Sequence, residues 1–315
     1  MNHTRYIQAG CLVLMLIGTP FFFIGGPGYY SSRSFQAAWN LGHVLFFFLF
    51  SLWLFEQLRG RKYVWSRAKS FVYVFVVVFL VGLLVEYLQL LVNGRAPDPF
   101  DLLRNQLGCL LAFALVTRPP LFSRHRWQVL FRGVVLVLLA ITLWPLTKAV
   151  FDERLAVAQF PVLSDFETPF ERFRWMDPRQ LREEKEQVRH GRKSVRVQLS
   201  TAKYSGVSLF HFPGDWRGYQ TLHFSVYNPL TENLELHCRV HDLLHRTSGA
   251  GFHDRFNQRF SLAPGWNDLV VSLEAVKNAP RERSMDMSRI HGFGLFVVQQ
   301  PDPLALYLDH VYLSR

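Results

Sequence analysis

The sequence predicts two folds in series: an all-α membrane bundle of five transmembrane helices, then an all-β sandwich of jelly-roll type. Three observations lead there. Five apolar stretches, all before residue 147, approach the ~20 residues that cross ~30 Å of hydrocarbon. Charge divides along the same line: residues 1–151 hold 14 Lys and Arg against 4 Asp and Glu, whereas residues 152–315 hold 21 against 20. From about Phe160 the long apolar runs give way to short alternating ones broken by turn residues, which is the period of strands. A chain of 315 residues has room for about two domains. With 50% hydrophobic and 19% charged residues, it is neither a soluble cytoplasmic enzyme nor a disordered chain. The basic excess lies between apolar runs, so it reads as short cytoplasmic loops rather than a nucleic-acid footprint. Cys11, Cys109 and Cys238 are too few and too scattered for a disulfide framework or a zinc cluster.

The predicted spans are Ile7–Ile24, Gln36–Phe55, Phe71–Val92, Leu102–Val116 and Val129–Leu146. The first is read as a retained anchor, because Gly18-Thr19-Pro20 runs into three phenylalanines instead of a small-residue cleavage site. Lys and Arg accumulate on the cytoplasmic side. Arg59, Arg61, Lys62, Arg67 and Lys69 between the second and third spans, and Arg118, Arg124 and Arg126 between the fourth and fifth, therefore face inward. The amino terminus is then cytoplasmic and the polar half periplasmic or extracellular, on an inner (plasma) membrane. The expected domains are 1–147 in the membrane, 148–159 as linker and 160–315 as sandwich.

Ionisable residues inside apolar runs cost about 2.5–3.5 kcal/mol each on insertion scales and so mark candidate sites. Gly82, Glu86, Gln89 and Asn93 recur at helical spacing along one face of the third span. Asp101, Asn105 and Gly108 share a face of the fourth, with Asp101 read as its cap, and His43 enters about two turns down the second. By the charge-rule topology His43, Glu86, Gln89, Arg95, Asp98, Asp101 and Asn105 all lie near the outer leaflet. Two chemistries suit such a set. A histidine and a carboxylate can do acid–base work while Arg95 holds an anion, or His43, Glu86 and Asp101 can hold a divalent metal. Recognition of an anionic lipid headgroup without reaction needs the same residues.

The run Glu86-x-x-Gln89-x5-Arg95-x-x-Asp98-x-x-Asp101-x-x-x-Asn105-x-x-Gly108, with Gly42-His43 before it, resembles the VanZ-like membrane domain over about residues 5–150. That resemblance implies several transmembrane helices and, since founding members are associated with teicoplanin resistance, a role at the outer face near cell-wall or lipid-linked glycan intermediates. It implies no particular reaction. Its matching positions are His43, Glu86, Gln89, Arg95, Asp101 and Asn105, with Asp98 beside them; of these His43, Glu86, Arg95 and Asp101 are the candidate catalytic residues.

In the polar half, predicted strands are Ser194–Leu199, Gly206–Phe212, Thr221–Tyr227, Leu234–Asp242, Arg255–Leu262, Asn267–Ser272, Gly292–Val298 and Leu304–Leu313, with Pro178–Arg192 as an exposed loop or short helix. The phrases Asp165-Phe166-Glu167, Pro213-Gly214-Asp215-Trp216, Pro264-Gly265-Trp266-Asn267 and Tyr307-Leu308-Asp309 resemble galactose-binding-like, carbohydrate-binding-module sandwiches over about 160–315. This resemblance implies that Glu167 and Asp309, on neighbouring first and last strands, hold a structural calcium completed by backbone carbonyls. Trp216, Tyr219 and Trp266 are candidate sugar platforms, with Phe252 and Phe256 also available; turn-borne tryptophans serve equally as plugs of a sandwich core. His237 and His241 stand nearly 14 Å apart along a strand at ~3.4 Å per residue, too far for one ion, and read with His245 and His253 as an exposed polar face.

Together these readings describe an envelope membrane protein that recognises, and is a candidate to modify, a lipid-linked or cell-surface glycan at the outer leaflet. Its partners would be membrane lipids and glycan, with no nucleic acid. The alternative is a non-catalytic accessory or scaffold that binds glycan or antibiotic. A short tether would raise the sandwich's effective concentration over the membrane-face site.

Overall fold

A computed structural model describes residues 2–28, 31–59, 65–92, 98–246, 249 and 251–315. Arg61, Lys62, Asn93 and Arg95, on which parts of the charge and motif reading rest, lie outside the described residues. The chain divides into two units, Met1–Ala149 and Val150–Arg315.

The first unit is helical. Helix α1 (Asn2–Gly18) runs into a 3-10 turn, Thr19–Phe22, and is followed by α2 (Arg33–Arg59), α3 (Arg67–Gln89), α4 (Pro99–Leu111, extended by a wide turn over Ala112–Val116) and α5 (His125–Gln159). Among the described residues, four stretches are long and apolar enough to cross a membrane: Arg33–Arg59, Arg67–Gln89, Pro99–Val116 and His125–Gln159. The expected five spans are corrected to these four plus a shorter apolar helix, Gln8–Phe22. At ~1.5 Å per residue that stretch covers only about 22 Å. The buried positions of α3, Ser70, Val74, Val78, Gly82, Glu86 and Gln89, follow the helical repeat, so one stripe packs inward while the remaining apolar surface is left for lipid. Helix α4 is capped by Asp98, whose carboxylate accepts from Phe100 N–H at 2.9 Å, with Pro99 opening the first turn. The expected cap, Asp101, is a turn further in and points into the bundle instead. Phe47, Val74, Val78, Cys109 and Phe113 form the core between α2, α3 and α4.

Residues 148–159, expected as a linker, continue α5 as helix. The second unit begins inside that helix because Asp152, fully buried, accepts a forked pair of hydrogen bonds from the equally buried Arg174, at 2.9 Å from Nη2 and 3.1 Å from Nε. The rest is a two-sheet sandwich. One sheet has the order β2 (Leu181–Glu184), β3 (Ser194–Leu199), β10 (Leu304–Ser314), β5 (Thr221–Asn228), β8 (Gly265–Ser272), with β1 (Val162–Ser164) also on β10. The other has the order β4 (Tyr204–Leu209), β9 (Ile290–Val298), β6 (Leu234–Asp242), β7 (Phe256–Leu262), and a short helix α6 spans Leu273–Lys277. All pairings are antiparallel. Each of the eight strands read from alternation is present, with ends within three residues. The additions, β1 and β2, are three and four residues long, too short to show a period, and β2 falls inside the segment expected as loop or short helix. Inward residues such as Leu209, Leu222, Phe224, Leu236, Phe293 and Trp175 fill the space between the sheets.

Candidate functional sites

Close helix packing creates the site in the first unit. Gly108 of α4 lies against the backbone of α2, where a Cβ would stand 2.5 Å from Val44 O and 2.7 Å from Phe48 N. Gly82 of α3 likewise makes room for the Asn105 side chain. Three helices thereby bring His43, Glu86, Asp101 and Asn105 together in the interior, Glu86 at 8% exposure and Asn105 at 0%. His43 Nδ1–H donates to Asn105 Oδ1 at 3.0 Å, and Nε2 lies 3.2 Å from Asp101 Oδ2. The second Asp101 oxygen takes the Arg104 guanidinium, which also pairs with Asp98 at 2.8 Å. Asp98 N–H donates to Glu86 Oε2 at 3.0 Å, while Glu86 Oε1 and Asn105 Nδ2 are buried without a hydrogen-bond partner. Gln89 donates to Phe22 O at 3.0 Å, holding the 3-10 turn so that Phe22 stacks edge-on against His43 at 4.9 Å.

Six of the seven expected positions are thus gathered in one unit; Arg95, the seventh, is outside the described residues. The basic partner within the described set is Arg104, which the sequence reading passed over. The available signal was its place three residues after Asp101, one helical turn along the same face. Beside His43 an apolar groove of about 430 Å³ runs between α1 and α2, walled by Leu14, Gly18, Phe21, Phe46 and Leu49.

In the second unit one expected sugar platform, Trp216, is corrected. Trp216 is fully buried in the core and its Nε1–H is spent on Pro213 O at 3.2 Å, so it presents no face to a ligand. Tyr219 packs its half-buried ring on Phe160, with the Arg315 guanidinium over it. Trp266 lies half-buried beside Tyr227 on the six-stranded sheet. Phe256 is in the core, whereas Phe252 is 61% exposed. His241 and His245 are buried, which corrects the exposed polar face expected of them: His241 keeps the register of His237 and Arg239, opposite Gly292, but Phe210, His245 and His291 pack against its ring. Burial comes first, then the neighbouring His245, Arg239 and His291, in pushing the His241 imidazole down to about 3. Nearby, Asp242 carries the Arg283 guanidinium at 2.5 Å and the Asp286 N–H at 2.8 Å, and Arg283 also reaches Asp254.

Alternation did not reveal a cleft of about 600 Å³ on the outer face of the four-stranded sheet. Cross-strand register builds it in rows, Gly206, Phe296, His237 and Arg259, then Ser208, Gly294, Arg239 and Asn257. Both glycines admit close neighbours: a Cβ on Gly206 would strike Leu295 O and Phe296, and one on Gly294 would stand 2.7 Å from Arg239 Nε and 3.0 Å from Ser208 Oγ. Tyr204, 63% exposed, stands edge-on to Phe296, His237 stacks on Phe296 at 5.1 Å, and Arg239 donates to Ser208 Oγ at 3.0 Å. Arg255 sits close enough to Arg239 that burial, then this like charge, lowers its pKa. Aromatic faces beside three guanidinium groups suit a polar ring ligand bearing negative charge.

Glu167 and Asp309, expected as calcium ligands, both hold the segment before β3. Glu167 Oε1 accepts from Arg192 N–H at 2.5 Å and Lys193 N–H at 2.8 Å, and Asp309 Oδ2 from Arg189 N–H at 2.8 Å and His190 N–H at 2.9 Å. Asp309 Oδ1 is buried without a partner.

Residues 5–123 match the VanZ/LLP1 family model. The first unit therefore carries a VanZ-like domain, as the spacing of Glu86, Gln89, Asp101 and Asn105 led us to expect. Among curated proteins there is no match. Solved structures similar to the C-terminal part include the family 11 carbohydrate-binding module from Clostridium thermocellum, in complex with a β-1,3-1,4-mixed-linked tetrasaccharide. It shows 13% identity, covers 49% of this chain and 94% of that one, and has a TM-score of 0.36. An exo-β-agarase shows 14% identity over 49% of this chain and 24% of its own, with a TM-score of 0.38. The family 30 module of a C. thermocellum cellulosomal cellulase shows 12% identity, 43% and 82% coverage and a TM-score of 0.34.

Proposed function

We propose that this membrane protein belongs to the cell envelope and recognises a lipid-linked or cell-surface glycan carrying negative charge at the outer leaflet. One observation carries this reading. His43 belongs both to the buried polar cluster and to the wall of the apolar groove, so a single amphiphile can place its chain among Phe21, Phe46 and Leu49 and its headgroup at the cluster. The outer-leaflet assignment follows from Lys and Arg in the opposite loops. The cleft under Tyr204 supplies a separate surface for free glycan.

The test is binding of polyprenyl-pyrophosphate-linked sugars and of free envelope glycans to the full chain in lipid nanodiscs. Tyr204→Ala, at an exposed ring, should weaken free-glycan binding about tenfold, of the size of a lost stacking contact plus its desolvation, and leave melting unchanged. His43→Gln should weaken the lipid-linked ligands selectively. Absence of binding to either class would reject the reading. Glu86→Gln then separates two mechanisms: retained binding with lost cellular function indicates a reaction, whereas lost binding indicates recognition alone.

A structural calcium at Glu167 and Asp309 is part of the proposal, supported by the unpartnered Asp309 Oδ1. Calcium favours six to eight oxygens, so carbonyls would complete the set. Chelation should lower the melting temperature of the full chain and calcium should restore it; an unchanged transition would remove the ion.

A further inference from the structure

We infer that His43, Glu86 and Asp101 form a binding site for a divalent transition cation such as Zn²⁺ or Mn²⁺. One ligand atom from each of the three lies within 4.8 Å of the others, and all three residues are buried. Two atoms ~2.1 Å from a shared ion stand at most ~4.2 Å apart, so small side-chain rotations close the set.

The arrangement of the outer atoms carries the argument. Each candidate ligand has one atom held by a second group and one left over. Glu86 Oε2 takes the Asp98 N–H, leaving Oε1 with no partner. Asp101 Oδ1 takes Arg104, leaving Oδ2. His43 Nδ1 donates to Asn105 Oδ1, leaving Nε2 3.2 Å from Asp101 Oδ2. With the imidazole neutral, Nε2 and Asp101 Oδ2 are two acceptors face to face, and the Glu86 Oε1 beside them is buried unpaired. A cation between them satisfies all three at once, and a ligating imidazole that donates its other N–H is the usual second-shell pattern. Charge points the same way: among the described residues of the cluster Glu86, Asp98 and Asp101 are acids, and Arg104 is the one fixed cation. One imidazole with two carboxylates suits zinc or manganese better than the all-oxygen sets of calcium. Three protein ligands leave a coordination position open for water or a phosphate-type oxygen.

This site stands on these side chains alone and survives failure of the glycan reading. The test is metal content of the full chain, purified in detergent through a tag that carries no metal, by plasma mass spectrometry. About one zinc or manganese per chain is expected in the wild type, falling at least tenfold in His43→Ala and Glu86→Gln. Should either variant misfold, Co²⁺ exchange into folded wild-type protein gives an independent reading, a visible d–d spectrum of mixed nitrogen and oxygen ligation. Metal-free wild-type protein whose melting does not respond to added Zn²⁺ or Mn²⁺ would overturn the site. So would bound metal that both folded variants retain.

Discussion

Gly108 decides how closely α2 and α4 meet, because the atoms that a Cβ would strike there are backbone and cannot rotate away. Gly108→Ala should force the helices apart, at about 1–3 kcal/mol for overpacking, and also loosen the contact between His43 and Asn105. Thermal denaturation in detergent checks it; wild-type melting would mean that the interface has slack. At His241 the consequence is a pH dependence. Its folded pKa of about 3 lies below the ordinary 6.5, so the folded state binds fewer protons than the unfolded chain between those values. Its contribution to stability is present above 6.5 and is lost as pH falls toward 3. The melting temperature of wild type should therefore drop more between about pH 7 and about pH 4.5 than that of His241→Phe, which cannot take up the proton. Parallel curves for the two proteins would show that His241 is not the titrating group.

Helix α5 ends as part of the sandwich's own structure. Arg174 has no access to water and relies on Asp152, with further bonds to Leu163 O and Gln159 Oε1. Breaking a buried pair by removing one partner leaves the other charge uncompensated, typically costing about 3–5 kcal/mol. Asp152→Ala should destabilise the second unit by that order. A fragment beginning at residue 160 should melt well below one beginning at residue 150, and equal melting would show that Arg174 finds another acceptor. The strand pattern of β4, β9 and β6 has its own consequence. Gly206 and Gly294 look like weak points in strands, yet each lets a neighbour approach closely, Phe296 at Gly206 and the Arg239 side chain at Gly294. A Cβ on Gly294 would stand 2.7 Å from Arg239 Nε, a flexible group, so Gly294→Ala should fold while displacing that guanidinium and reducing anionic-glycan binding.

Taken whole, the chain joins two units with separate cores, one of aromatic and β-branched residues between helices and one between two sheets. Sites in different units should act independently: His43→Gln should leave free-glycan binding intact, and Tyr204→Ala should leave metal content intact. Each effect appearing in both measurements would argue for a shared site.

Apolar run length, the partition of Lys and Arg, and the change of period near Phe160 are properties of neighbouring residues, so they were enough for the helical half, the β half and eight of the ten strands. Helical spacing also aligned Glu86 with Gln89 and Asp101 with Asn105, because one turn brings such residues to one face whatever surrounds them. Short edges such as β1 and β2 carry too few residues to show a period, and the boundary at Val150 depends on a pair 22 residues apart, Asp152 and Arg174. Trp216 could have been a platform or a plug until packing buried it. The cleft under Tyr204, the groove beside His43 and the open ligand atoms of Glu86 and Asp101 arise where separate elements pack, through distances that no local pattern encodes.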